Sequence, residues 1–294
     1  MKINYHEHAF QVSPKLIGDE LDDIEKSIQE FKNLKTSGFE GYVDATPLFL
    51  GRNPGGLVRL IQETGLSVFP VTGFHHSGHY SDALIKIILE KGTKFWVNQL
   101  IGEISLGMAC NEDVYIDNSL VNRESLKAKV LKVGLRKSMS DFEDRTLAII
   151  ENTYRELKTP IMVHLDADND AISVAQKIID LGIEPTSTVL AHIDRQVNFD
   201  TFDKLTGMGF FLGFDSFIRM NESGIEKIYE AVQRYPDQIL IGGDLARSSR
   251  YISYGGGPGI GYTGNVVIQK ISKMANGNLV KIVLEENPNR WLNS

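Results

Sequence analysis

Short runs of β-branched and aromatic residues alternate along the chain with longer amphipathic stretches, and this alternation restricts the fold more than any other feature. Eight runs read as strands: residues 3–8, 41–46, 67–73, 130–135, 161–165, 189–193, 210–215 and 239–244. Stretches 19–36, 55–64, 81–91, 141–157, 170–181 and 222–234 carry the helical period, and 279–291 closes the series. Gly38, Gly65 and Gly182 stand where left-handed helix caps are expected, since glycine has no Cβ to oppose that backbone. Strands separated by helices pair in parallel through right-handed crossovers. Eight such units predict a closed (β/α)8 TIM barrel, an α/β fold forming one domain over residues 1–294; an open doubly wound sheet is the alternative. Residues 92–128 mix FWVNQLIGEISLG with a polar stretch and read as an excursion between the third and fourth strands. GGGPGIG at 255–261 is a loop. A dinucleotide-binding glycine motif follows the first strand of a βαβ unit, whereas this one lies beyond the eighth and contains Pro258.

Composition narrows the partners. With 42% hydrophobic and 23% charged residues the chain has the material for a substantial core. A net charge of −7 gives no general attraction to nucleic acid or an anionic membrane, so any anionic ligand must be met locally. The single cysteine, Cys110, excludes an internal disulfide and a cysteine-rich zinc knuckle, and suits a reducing compartment. There is no secretory signal or span of ~20 apolar residues, and the expected location is the cytoplasm.

Barrel chemistry gathers at the C-terminal ends of the strands. His6 and His8 end strand 1 and, at a period of two, project from one side. Lys132 lies in strand 4, while His164, His192 and Asp244 end strands 5, 6 and 8. Each has an ordinary alternative: a carbonyl-bonded core histidine for His164 or His192, a helix cap for Asp244, a snorkelling side chain for Lys132. Together they suggest more, because burying so many polar groups in one barrel mouth is costly unless something binds them. Imidazoles with a carboxylate form a nitrogen and oxygen donor set suited to Zn²⁺ or a similar ion.

HEH at 6–8, GYVDATP at 41–47, AKVLKVG at 128–134, VHL at 163–165, AHID at 191–194, GGDLARSSRY at 242–251 and ENPNRW at 286–291 resemble, in order, the motifs of the phosphotriesterase family of the amidohydrolase superfamily. The resemblance implies a binuclear centre. His6, His8 and Asp244 would hold the more buried ion, His164 and His192 the more exposed one, and Lys132, carboxylated by carbon dioxide, would bridge them. Zn²⁺ is the expected metal, with Mn²⁺ or Co²⁺ as substitutes. In such a site a metal-bridging hydroxide attacks, Asp244 accepts its proton, and Asp194 is a candidate relay partner; an ordinary turn aspartate is the alternative for Asp194. The chain begins almost at His6, without the segment that precedes this motif in many relatives, so the barrel base is expected to be less completely closed there.

The loops after strands 7 and 8 bear Arg219, Arg247, Arg250 and Tyr251, a set able to grip a phosphate, unless Arg247 or Arg250 pairs with a nearby carboxylate. His75, His76 and His79 follow strand 3 and either line the pocket or are solvated. Some relatives open phosphorylated sugar lactones, and their phosphate-binding groups occupy these same two loops. The expected activity is therefore a lactonase acting on a small, anionic, phosphorylated sugar lactone. Phosphotriester or acyl-homoserine lactone hydrolysis is the nearest alternative, and the arginines argue against it. A nuclease is disfavoured by the acidic balance. A non-catalytic sugar-phosphate sensor would be expected to lack a ligand, and all six are present. The expected partners are a small molecule and a second copy of the chain, with no nucleic acid or membrane.

Overall fold

The computed structural model describes residues 1–195, 197–220, 222–274 and 277–294. The eight strands are β1 (Ile3–Glu7), β2 (Gly41–Asp44), β3 (Ser67–Phe74), β4 (Val130–Leu135), β5 (Ile161–Leu165), β6 (Thr188–Ala191), β7 (Phe211–Phe214) and β8 (Ile239–Ile241). Neighbours in sequence pair in parallel, in the order β1 to β8. The seam from β8 to β1 is drawn together by the N–H groups of Gly243 and Asp244, which donate to the His6 carbonyl at 3.2 and 3.0 Å. This is the (β/α)8 barrel that the alternation predicts.

Helices α1 (Ile24–Thr36), α2 (Pro54–Thr64), α3 (Asp82–Ser105), α4 (Val114–Asp117), α5 (Asp141–Leu157), α6 (Ala171–Asp180), α7 (Phe199–Met208) and α8 (Glu222–Arg234) fill the connections, with α9 (Gln269–Met274), α10 (Gly277–Lys281) and α11 (Asn287–Leu292) after β8. Gly38, Gly65 and Gly182 have positive φ, as their positions required. Three expectations need correction. Helix α3 runs well past residue 91, so the first part of the supposed excursion, to Ser105, is crossover helix; the break lies at Gly92, whose φ of 77° and ψ of 161° are non-helical. Helix α1 starts at Ile24, because Asp23 caps it by accepting from the Lys26 N–H at 3.1 Å. Helix α7, absent from the sequence reading, is bounded by an Asn198 cap and by Gly209 at φ 100°.

Inside the barrel, Val130 and Lys132 take alternate positions on one face of β4, and Met162 and His164 do so on β5. Apolar side chains therefore fill the lower layers and polar ones the mouth. The base is not open. Trp291 and Leu292 of α11 plug it against Ile3 and Tyr5, and the Trp291 indole donates to the Ser187 carbonyl at 3.2 Å. Outside the barrel, the buried Arg52 guanidinium pairs with Glu103 at 2.5 Å and also with Glu112, tying the β2 loop to α3 and the segment after it.

Candidate metal centre

The barrel mouth holds a cavity of about 230 Å³ lined by His6, His8, Lys132, His164 and Asp244. Local backbone geometry aims these groups. In β1, Asn4 opposes Tyr42 and Glu7 opposes Asp44, so a bulge accommodates one extra residue between them. Tyr5 and His6 consequently both face the interior, and His8 follows with its ring centroid 5.3 Å from that of His6. His192 and Asp244 lie just past β6 and β8 with φ of 65° and 47°, left-handed values that end each strand and turn the side chain inward.

Hydrogen bonds fix the ring protons. His6 Nδ1 lies 2.9 Å from Asp215 Oδ2 and His192 Nδ1 lies 2.6 Å from Asp215 Oδ1. An ionised carboxylate only accepts, so both rings carry their proton on Nδ1. His8 Nδ1 lies 2.8 Å from Thr46 Oγ1, whose hydroxyl donates to the Phe10 carbonyl at 2.8 Å; His8 therefore also donates from Nδ1. The three Nε2 atoms are thereby left with free lone pairs. That of His6 is buried without a hydrogen-bond partner among the described residues, and that of His192 lies 2.7 Å from His164 Nδ1. Asp244 Oδ1 stands 3.6 Å from His6 Nε2 and 3.5 Å from His8 Nε2.

Burial sets the charge states. It lowers the His6 pKa to about 4 and that of His8 to about 3, so both are neutral near pH 7. It draws Lys132 down to about 8 against the pull of Asp244, Asp215 and Asp44; the Lys132 amine donates to the Ala45 carbonyl at 2.6 Å. Burial would raise Asp215 and Asp244, but histidine bonds and charge hold Asp215 low, and Arg219 with His192 and His6 hold Asp244 well below the carboxylate range. Neutral imidazoles, an ionised carboxylate and an orphaned lone pair are what a borderline divalent ion requires, and His6, His8 and Asp244 present donor atoms within 4.8 Å of one another.

The residues expected around the substrate divide. Arg219, Arg247, Arg250, His75, His76 and His79 line the cavity. Arg219, however, is spent on Asp244 Oδ2 at 2.7 Å, and Arg247 pairs with Asp19 at 3.3 Å. Arg250 reaches only the Asp244 carbonyl at 3.4 Å and has no carboxylate partner among the described residues. Tyr251 is not in the cavity: it is fully buried and donates to the His8 carbonyl, positioning a histidine rather than touching a ligand. Asp194 does not reach Asp244. Its Oδ2 accepts from the N–H groups of Asp215 and Ser216 at 3.0 and 2.7 Å, its Oδ1 has no partner among the described residues, and burial pushes its pKa up.

Four residues passed over in the sequence reading matter here. Asp215 joins His6, His192 and the Tyr5 hydroxyl; Thr46 holds His8; Arg195 stands 3.7 Å from Asp244; Lys15 reaches the mouth from the β1 loop. Asp215 ends the seventh strand run just as His164 and His192 end theirs, a signal present in the sequence. Nothing local marks Thr46 or Lys15.

Comparison with known proteins agrees with this geometry. The model of the Phosphotriesterase family matches residues 2–292. An N-acetyltaurine hydrolase from Xenopus tropicalis is 21% identical over 288 residues, covering 92% of this chain and 78% of the relative. A phospho-furanose lactonase from Mycoplasmopsis synoviae is 23% identical over 246 residues, covering 80% and 65%. The crystal structure of a lactonase from Listeria monocytogenes superposes with a TM-score of 0.86 at 25% identity, over 99% of this chain and 94% of that one. With a family match spanning nearly its whole length, and a barrel mouth lined by histidines and a carboxylate able to hold metal, the chain belongs to the phosphotriesterase family and is a hydrolase of that family.

Proposed function

We propose that this hydrolase opens a small lactone carrying an anionic group, a phosphorylated sugar lactone by preference. His6, His8 and Asp244 would hold one divalent ion, His164 and His192 a second, and carboxylated Lys132 would serve both; Zn²⁺ suits the donors best, with Mn²⁺ and Co²⁺ as substitutes. When bound, such a pair supplies a water of lowered pKa and polarises the substrate carbonyl. The chain's own groups provide the rest. With Lys132 drawn to about 8, an appreciable fraction of its amine is neutral near pH 7. That lone pair forms the N–C bond to carbon dioxide, and the amine proton leaves to solvent. The Asp244 carboxylate, oriented at Oδ2 by Arg219, accepts the proton of the attacking water and returns it to the ring oxygen as the lactone opens.

The observation that carries the substrate class is the arginine wall. Arg250 is packed beside Arg219 and Arg247, and burial together with Arg219 lowers its pKa; an anion relieves this crowding and takes the guanidinium edge in a bidentate grip. The similarity to a phospho-furanose lactonase supports this choice. A second reading, cleavage of an N-acylated amino sulfonate, is favoured by the N-acetyltaurine hydrolase relatives, since a sulfonate suits the same arginines.

Acid release from a panel of lactones with and without phosphate, and taurine release from N-acyltaurines, measured with zinc-loaded protein, tests both. Phosphorylated lactones are expected to turn over fastest, with Arg250→Ala raising KM for them and not for unphosphorylated ones. No lactone turnover overturns the lactonase reading, and taurine release in its place supports the second.

A further inference from the structure

Across the barrel from β7, the mouth is walled by the β3 loop with His75, His76 and His79. Two of these rings have a proton arrangement opposite to that of the metal centre. His75 Nδ1 accepts the N–H of His76 at 2.8 Å, and His76 Nδ1 accepts the N–H of Gly78 at 3.2 Å. A ring nitrogen that accepts carries no proton, so the neutral ring is protonated at Nε2.

The turn that presents them is held on several sides. The His75 N–H donates to the Tyr80 hydroxyl at 2.7 Å, that hydroxyl donates to the Leu48 carbonyl at 3.2 Å, and the Ser77 N–H donates to Glu143 at 2.7 Å. Gly134 admits the loop: a Cβ there would fall 2.4 Å from the His76 nitrogen. The ring of His79 stacks on His75 with centroids 3.8 Å apart. His75, His76 and His164 have nitrogens within 4.8 Å of one another, a spacing that by itself suits an ion. Yet the Nδ1 lone pairs of His75 and His76 are spent on backbone amides, and their Nε2 atoms bear hydrogen. The nearest acidic atom to His76 Nε2 is Asp166 Oδ1 at 3.5 Å, long for a hydrogen bond.

We infer that His75 and His76 form a neutral donor subsite, and not a third metal site: their Nε2–H groups bind the uncharged hydroxyl oxygens of a polyhydroxylated substrate whose anionic end lies at Arg250. This deepens, and rests on, the sugar-lactone reading above. Two preorganised donors left unpaired in a buried wall would penalise a substrate lacking the matching hydroxyls.

Two measurements on zinc-loaded full-length protein test the subsite. Long-range ¹H–¹⁵N spectra of histidine-labelled protein, assigned by loss of signals in His75→Gln and His76→Gln, should show Nε2–H rings for both; Nδ1–H or metal-shifted patterns overturn the inference. Calorimetric binding of ribonate 5-phosphate and its 2-deoxy and 3-deoxy analogues should favour the full polyol. His75→Ala and His76→Ala should each lower that preference about five- to tenfold, while the glutamine variants, which keep an N–H at similar reach, retain it. Zinc per chain should be unchanged throughout. Folded, fully metallated alanine variants with an unchanged preference, or loss of zinc from them, overturn the subsite. Failure of wild-type protein to bind any of the three compounds overturns the sugar-lactone reading and the ligand assigned to the subsite, while the spectra report on the donor tautomer separately.

Discussion

Asp215 touches no substrate in this account, yet it decides which nitrogen of two histidines is free. Its two oxygens take the Nδ1 protons of His6 and His192, leaving both Nε2 atoms as donors to an ion. Asp215→Asn keeps the shape but supplies one acceptor and one N–H donor, so one ring is forced into the opposite tautomer. Zinc affinity, measured by competition with a chelator, should fall about 10- to 100-fold; unchanged affinity would remove Asp215 from the centre. Lys132→Ala should lose activity and metal together and recover part of both when a short carboxylic acid is added. A variant retaining two zinc ions and full rate would contradict the bridging role. His6, His8, His164, His192 and Asp244 are legible as a set because each stands at a strand end, a position that periodicity reveals. The inward direction of Tyr251 is not legible in the sequence, because proximity to Arg250 says nothing about where a side chain points.

At the scale of elements, the least legible part is the crossover from β3 to β4. Its apolar residues continue the helix past Gly92 to Ser105, and α3 as a whole packs against α5. The φ of 77° and ψ of 161° at Gly92 lie in a region nearly closed to other residues, while a Cβ there would meet nothing within 4 Å. Gly92→Ala should therefore lower stability by about 1–3 kcal/mol through the backbone alone, read from chemical denaturation, with kcat/KM unchanged. A neutral effect would mean that the kink is dispensable.

For the whole molecule, a cluster of neutral buried histidines ties stability to pH. His6 and His8 have folded pKa values of about 4 and 3, below the unfolded value near 6.5. Above 6.5 their contribution is complete. As pH falls from there toward 4 the unfolded state takes up protons that the folded state refuses, and each histidine costs about 1.4 kcal/mol per pH unit. The Tm of metal-free protein should accordingly drop between pH 7 and pH 5, and zinc should be released over the same range; a flat Tm would contradict the burial of these rings as neutral groups. Among the described residues no helix is long and apolar enough to cross a membrane.

Legible before any folding are the barrel, the order of its strands, the glycine caps and the strand-end side chains of the candidate metal centre, because these follow from local periodicity and from one rule about where strands end. Tertiary structure alone decided the ring tautomers, the commitment of Arg219 to Asp244 and Arg247 to Asp19, the closing of the base by Trp291 and the withdrawal of Asp194 from the site. Each of these depends on a hydrogen bond or contact between residues far apart in the chain, and pairings of that kind are fixed by the closed barrel rather than by sequence spacing.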